Sequence, residues 1–427
     1  MIVNRLIEKA MKAAQGAQAS LGTSESATIS FENDKLKSVR SSQSTGMSVK
    51  VIVDGKVGSS VTTDVGDVDG VVARALEAAE FGSPAHFEFP GPQKGRDVKI
   101  YDSAVPDVTK DEMVAIGEDM IKQVKAYNPD ILMGAGASKS AKTTQFANSA
   151  GISYSTESTS FSVWIDGQLI RGTDILSAGH GLGWKKRDID HRDIAERAIE
   201  LFKMAEKTAL VKSGNMPVIF TPEGINVLLL ALTLGFNGKN VFLGSSPLAG
   251  KLGEKIFDER FSITDNPLID YAGGSGKYDG EGTPHRITPI IEHGVLKNFL
   301  YDLDTGARAG ANTTGNGVGC DPTNLIIKEG NTSYEEMVKN TKEGLLVHSV
   351  LGLGQGNPMS GEFSVNLHLG YKIENGEVVG RVKDVMLAGN TYEALKNIIS
   401  IGDRAEWAAG WLLTPPIQVA GLSVAAH

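Results

Sequence analysis

Hydrophobic positions recur at two different spacings along the start of the chain. Between residues 3 and 15, Leu6, Ile7, Ala10, Met11 and Ala14 fall on one face of a helical repeat. Alternation then takes over. Ala27, Ile29 and Phe31 alternate with polar residues, Asn33-Asp34 supplies a turn, and Leu36 and Val39 follow. Met47, Val49, Val51 and Val53 alternate again. Asp54-Gly55 is a tight hairpin signal, and Val57 to Thr63 reads as the return strand. Asp67 is placed to cap a helix running through Ala79. These spacings predict antiparallel strands with helices, not a series of parallel crossovers.

Residues 82–108 hold Pro84, Pro90, Pro92 and Pro106 and read as an extended surface connection. Thr109 and Glu112 have the spacing of a capping box. Met113, Ile116, Met120, Ile121 and Val124 then form the buried face of a helix. Strands are predicted at 131–137, 143–148, 152–156 and 159–165, and a helix at 191–206. "VKSGNMPVIF" at 211–220 reads as a boundary followed by a buried strand. Beyond it, strands are predicted at 286–291, 295–300, 324–328, 344–350, 363–373 and 378–387. Asn375-Gly376 is another hairpin signal, and a short helix is expected near 391–399. A chain of 427 residues exceeds one ordinary core. The expectation is an α+β protein of two domains. Residues 1–210 form a mixed antiparallel sheet with helices, and residues 211–427 a strand-rich, barrel-like or curved sheet.

One predicted helix breaks the amphipathic rule. In "TPEGINVLLLALTLG", Thr221 suits an N-cap, Pro222 the first helical position and Gly235 the stop. Leu228, Leu229, Leu230, Leu232 and Leu234 cover every side, which predicts burial all round.

Charge and cysteine content narrow the function classes. The net charge is −9, and the nearest basic run, "GWKKRD" at 183–188, is too short to displace a counterion sheath. Direct nucleic-acid binding is not expected. Cys320 is the one cysteine, so no internal disulfide forms, as suits a reducing, cytoplasmic setting. Within "GNGVGCDP" it reads as a small filler residue more than a nucleophile. The longest apolar run, Val227 to Leu234, falls far short of the roughly 20 residues that span a bilayer. The first helix has charges spread along it, unlike a signal peptide.

Motif chemistry is sparse. "YAGGSGKY" at 271–278 lacks the first glycine and the hydroxyl of a P-loop. "GHGLGW", "GNGVGC" and "GLGQGN" each lack the last glycine of a dinucleotide fingerprint. No Gly-x-Ser-x-Gly sits on a strand-to-helix elbow. The eight histidines, His86, His180, His191, His285, His293, His348, His368 and His427, form no pair at metal-binding helical spacing. Asp279, Glu281, His285 and His293 are close enough in sequence for a fold to gather them around a metal. An ordinary polar sheet edge explains them equally well.

Longer stretches carry a family resemblance. They are "SVKVIVDGKVGSS" at 48–60, "GSSPLAGKLGEK" at 244–255, "DGEGTPHRITPIIEHGVLKNFLYD" at 279–302, "NTTGNG" at 312–317 and "YKIENGEVVGRVKDVMLAGNTYEALKNIISIGDR" at 371–404. Over essentially its whole length the chain resembles the TldD/PmbA family, some of whose members have been called modulators of DNA gyrase. One branch looks like a zinc metalloprotease with a His-Glu-x-x-x-His helix and a further cysteine ligand near the C-terminus. By alignment the His-Glu pair falls on Leu229 and Leu230, the second histidine on Leu234, and the cysteine within 408–421, which has none. Leucine neither ligates zinc nor moves protons. The chain therefore resembles the other branch, TldE/PmbA.

That resemblance implies a noncatalytic subunit paired with a TldD-like catalytic subunit. The zinc belongs to the partner, this chain holds no cofactor, and the substrate is a peptide or unfolded polypeptide. Maturation of a modified peptide antibiotic and turnover of an antitoxin are among the family's roles. Gly244, Ser245 and Ser246, and Thr314, Gly315 and Asn316, are candidate neighbours of a peptide groove, with plain turns as the alternative. Other readings stay open: a homodimer, a stand-alone hydrolase using Asp279, Glu281, His285 and His293, or a binding protein linked to gyrase or a toxin–antitoxin pair. Enzyme activity of the chain by itself is left open.

Overall fold

Each hairpin signal becomes a hairpin. In the computed structural model, which describes residues 1–426 and leaves His427 outside, β1 (Gly16–Glu32) turns into β2 (Lys35–Val53) through Asn33 and Asp34. Both turn residues have positive φ, 51° and 66°, the pair of left-handed conformations whose twist matches antiparallel strands. Asp54 and Gly55 do the same between β2 and β3 (Lys56–Thr62). The first sheet continues with β4 (Leu132–Asn148), β5 (Ser153–Arg171) and β6 (Asp174–Trp184) in the order β3-β2-β1-β4-β5-β6. Every pair in it is antiparallel.

Two pairs of predicted strands fuse. The strands expected at 131–137 and 143–148 are one strand, β4, and those at 152–156 and 159–165 are one strand, β5. The intervening residues are polar on both sides and show no alternation. They are strands because β4 is hydrogen-bonded along both edges, to β1 and to β5. Hydroxyl pairs add to the ladder: Ser20 with Ser48 at 2.8 Å, Thr28 with Ser138 at 3.0 Å, and Ser30 with Ser38 at 2.8 Å. Strand β6 was hidden by its glycines in "SAGHGLGW".

Helices α1 (Ile2–Ala10) and α2 (Val68–Glu80) cover one end of this sheet around Leu6, Val49, Val51 and Val72. Asp67 caps α2 by accepting from the Gly70 N–H. Proline-rich residues 82–103 contain no helix or strand. The chain then forms a short helix, α3 (Ala104–Asp107), and α4 (Lys110–Tyr127), whose capping box is Thr109 with Glu112. Helix α5 (His191–Met204) packs beside α4.

The second half closes a barrel. It contains β7 (Gly214–Phe220), β8 (Ile263–Asp265), β9 (Thr288–Glu292), β10 (Val295–Leu296), β11 (Leu325–Ile327) and β12 (Glu343–Leu351). Further strands are β13 (Glu362–Glu374), β14 (Glu377–Arg381), β15 (Val385–Asn390), β16 (Ile398–Ile401), β17 (Glu406–Ala408), β18 (Leu412–Thr414) and β19 (Ile417–Ala426). Strands β12, β7, β19, β15 and β13 form a ring, because β12 also pairs with β13. Only the β12–β7 contact in the ring is parallel. A second, smaller sheet runs β10-β9-β8-β11-β18-β17.

Several predicted boundaries move. The strand expected at 378–387 breaks at Asp384, whose φ is 54°, so that β14 and β15 pair with opposite ends of β13. The helix expected at 391–399 is one turn, Thr391–Ala394. The β-branched Ile398, Ile399 and Ile401 are drawn into β16 against β19. The strand expected at 295–300 stops at Leu296, because Leu300 turns away to bond Phe236 and Gly238.

The cores of the halves are continuous. Alternate residues of β7 divide: Val218 and Phe220 face the large C-terminal core, while Ile219 joins the core of α4 and α5. Leu346, Leu369, Tyr371 and Ile373 join that second core too, and the Tyr371 hydroxyl donates to the Leu201 carbonyl at 3.3 Å. No helix among the described residues is long and apolar enough to cross a membrane.

Candidate functional site

The leucine-rich helix, α6, spans Asn226–Phe236. Thr221 does not cap it. The Thr221 hydroxyl accepts from the Gly224 N–H at 3.2 Å, making a separate turn that Pro222 begins, and the helix starts only after Ile225. Gly235 is not the stop but lies inside the last turn. A Cβ there would come within 2.5 Å of the Tyr392 hydroxyl, and that hydroxyl donates to the Ala231 carbonyl at 3.0 Å. Burial is not complete either. Leu228, Leu229 and Leu232 are buried, but Leu230, Thr233 and Leu234 are half-buried on one face. That face meets the glycine-rich segment after β12, where Leu230 lies beside Gly354 and Leu353 is exposed. Backbone without side chains covers a helix poorly.

Zinc does not fit this helix. Leu229, Leu230 and Leu234 offer no donor atom, and residues 408–421 hold no thiol. No metal-dependent step can be assigned to α6.

The fold separates the alternative metal ligands. Asp279 and Glu281 are buried neighbours, but their oxygens serve the backbone. Asp279 accepts from the N–H groups of Glu281, Thr283 and Gly317, each at 2.9 Å. Glu281 accepts from the Leu303 N–H at 2.9 Å and faces Lys50 at 3.9 Å. Burial raises both carboxyls, Glu281 to about 7, against the pull of these donors. His293 sits in the β9–β10 turn with φ 49°, its ring beside the Glu259 carbonyl. His285 lines a different cavity. Among the described residues no three His, Cys, Asp or Glu side chains are grouped to hold a metal ion.

The candidate peptide-groove residues are largely occupied by internal bonds. Ser246 is buried and donates to the Gly235 carbonyl, closing the end of α6, while Ser245 donates to Asn240. Gly244 is a left-handed turn residue with open space around it. Thr314 and Asn316 are buried and bond each other at 2.7 Å, and Asn316 also donates to Asp265 at 2.7 Å. Gly315 has φ 78°, and a Cβ there would strike the Pro284 carbonyl at 2.7 Å. Cys320 is buried, burial pushes its thiol up to about 11, and its sulfur accepts from the Asp302 N–H. That is a structural thiol, not a nucleophile.

Sequence reasoning missed a histidine cluster. His180 from β6, Glu223 from the turn before α6 and His348 from β12 meet beside a cavity of about 470 Å3. Each histidine places Nδ1 3.7 Å from a different oxygen of Glu223. The Thr221 hydroxyl lies 3.2 Å from His348 Nδ1. Burial lowers His348 to about 4. Burial also lowers His180, partly offset by the Glu223 charge. Arg197, bonded to Glu406 at 2.8 Å, completes one wall. Two neutral imidazoles around a carboxylate can accept and pass protons. The three residues come from distant segments, so no spacing rule could have found them.

Comparisons with known proteins agree with this architecture. Residues 17–79 match a model described as PmbA/TldA metallopeptidase domain 1, residues 104–205 the central domain, and residues 213–426 the C-terminal domain. The chain is 29% identical to an uncharacterized protein of Methanocaldococcus jannaschii, covering 92% of each. It is 27% identical to a metalloprotease of Methanothermobacter thermautotrophicus, covering 91% of this chain and 88% of that one. Its fold matches TldE from Thermococcus kodakarensis with a TM-score of 0.91 at 23% identity over the full length of both chains. It also matches a Thermotoga maritima protein described as a candidate modulator of a DNA gyrase, with a TM-score of 0.92 at 25% identity over 99% of both chains. The family models together span far more than half of the sequence, and the chain belongs to the PmbA/TldD metallopeptidase family.

Proposed function

We propose that this chain is the noncatalytic member of a heterodimer, pairing with a TldD-like zinc subunit and helping to enclose peptides that the partner cleaves. The observation that carries the reading is α6, a helix with leucine at each aligned metal position and no donor atom to replace them. The likeness to TldE supports the same assignment. The half-buried Leu230 and Leu234, with exposed Leu353 nearby, give this face an apolar character suited to a partner or an unfolded substrate. The smaller sheet of the second half, which ends at β10 and β17, offers edges for an extended peptide. A cytoplasmic location accords with the single buried thiol.

Two measurements test the proposal. Affinity purification of the untruncated chain should bring down a His-Glu-x-x-x-His protein in equal amount, and unfolded polypeptide should be cleaved only when both are present. Elemental mass spectrometry of the dialysed chain alone should find no stoichiometric zinc. Cleavage by the chain alone, or one zinc bound per chain, would overturn the assignment.

A further inference from the structure

A second cavity, of about 690 Å3, opens between the proline-rich connection and the loops at 283–287 and 312–315. Its volume lies in the usual range for small-ligand sites. Its charge is one-sided. Lys94, Arg96 and Arg286 line it, and among the described residues no carboxylate does. None of these cations forms an ion pair among the described residues. The nearby Asp97 is already held by Lys277 at 2.6 Å.

The walls are fixed. The Asn148 amide donates to the Pro90 carbonyl at 2.8 Å, and the Tyr278 hydroxyl donates to the Gln93 carbonyl at 3.2 Å, pinning the connection that carries Lys94 and Arg96. Arg286 donates through Nη2 to the Thr313 carbonyl at 2.7 Å, which holds its guanidinium at the rim with no second hydrogen bond among the described residues. Thr283, one of the lining residues, is itself buried.

We propose that this cavity binds the terminal carboxylate of a peptide, with Arg286, Lys94 and Arg96 supplying the charge. The assignment of a peptide rests on the proposed function. The oxyanion chemistry does not, and inorganic phosphate shares it.

Isothermal titration of the purified full chain at low salt tests this without any partner subunit. The probes are tri-alanine as the free acid, tri-alanine amide and inorganic phosphate. The free acid should bind saturably, the amide should bind at least about tenfold more weakly, and phosphate should compete. Arg286→Gln should weaken the free acid about tenfold. Lys94→Gln combined with Arg96→Gln should weaken it too, while leaving the melting temperature unchanged, since neither side chain forms an ion pair among the described residues. Equal binding of acid and amide, or no binding of either, overturns the proposal. So does phosphate binding without tri-alanine binding, or Arg286→Gln binding the free acid like the parent. Because no partner enters the assay, a failed heterodimer leaves this result readable.

Discussion

Glu281 and His348 are buried groups whose protonation opposes each other across the same pH range. Glu281 has its carboxyl raised from 4.5 to about 7, so its contribution to stability is present below 4.5 and is lost as pH rises through 7. His348 is lowered from 6.5 to about 4, so its contribution is present above 6.5 and is lost as pH falls through 4. Each shift corresponds to about 3 kcal/mol. Glu281→Gln keeps an oxygen for the Leu303 N–H and removes the buried charge. Urea denaturation should find this variant at least as stable as the parent at pH 8, with no loss of stability from this site between pH 5 and 7. A variant less stable than the parent at pH 8 would mean that the Lys50 attraction outweighs burial. Glu223→Gln removes the charge that holds His180 up, so NMR titration should place the His180 pKa lower than in the parent.

At the scale of elements, α6 divides into two faces with different energetic weight. Leu232→Ala should destabilise by about 3 kcal/mol, the cost of a cavity in the large core. Leu230→Ala, on the half-buried face, should cost about 1 kcal/mol. Chemical denaturation of the pair checks the contrast, and equal losses would refute it. The same helix shows what the sequence could and could not reveal. Its existence, its leucines and its lack of metal donors were legible, because each is local. Its start was not, because Thr221 bonds within its own turn. The hairpins at Asn33-Asp34, Asp54-Gly55 and Asn375-Gly376, and the cap at Thr109, were legible for the same local reason. The polar middles of β4 and β5 were not, since only pairing on both edges makes them strands. The His180–Glu223–His348 cluster and the cationic cavity depend on chain crossings that no spacing encodes.

For the whole molecule, the shared core matters more than the division into halves. Ile219, Leu346 and Tyr371 from the second half complete the core of α4 and α5. Arg381, itself buried, reaches Asp174 at the start of β6. Heat should therefore unfold both halves together. Scanning calorimetry and tryptophan fluorescence should give one coincident transition, and two separated transitions would show independent domains. Asp174→Ala strands the buried guanidinium and should lower stability by about 3 kcal/mol, read as a shifted denaturation midpoint.

The placement of β19 also sets a timetable. Synthesis delivers the first sheet complete once β6 has been made, but the ring of β12, β7, β19, β15 and β13 must wait for Ile417–Ala426. At ribosomal speeds, roughly 10 to 40 seconds separate the appearance of β7 from that of β19, the later of its two partners on the ring. For that interval β7 and later β15 present unsatisfied edges, the kind of surface on which nascent chains associate. A nascent chain stalled before Ile417 should be cut readily by protease throughout its second half, and release of the finished chain should abolish that sensitivity.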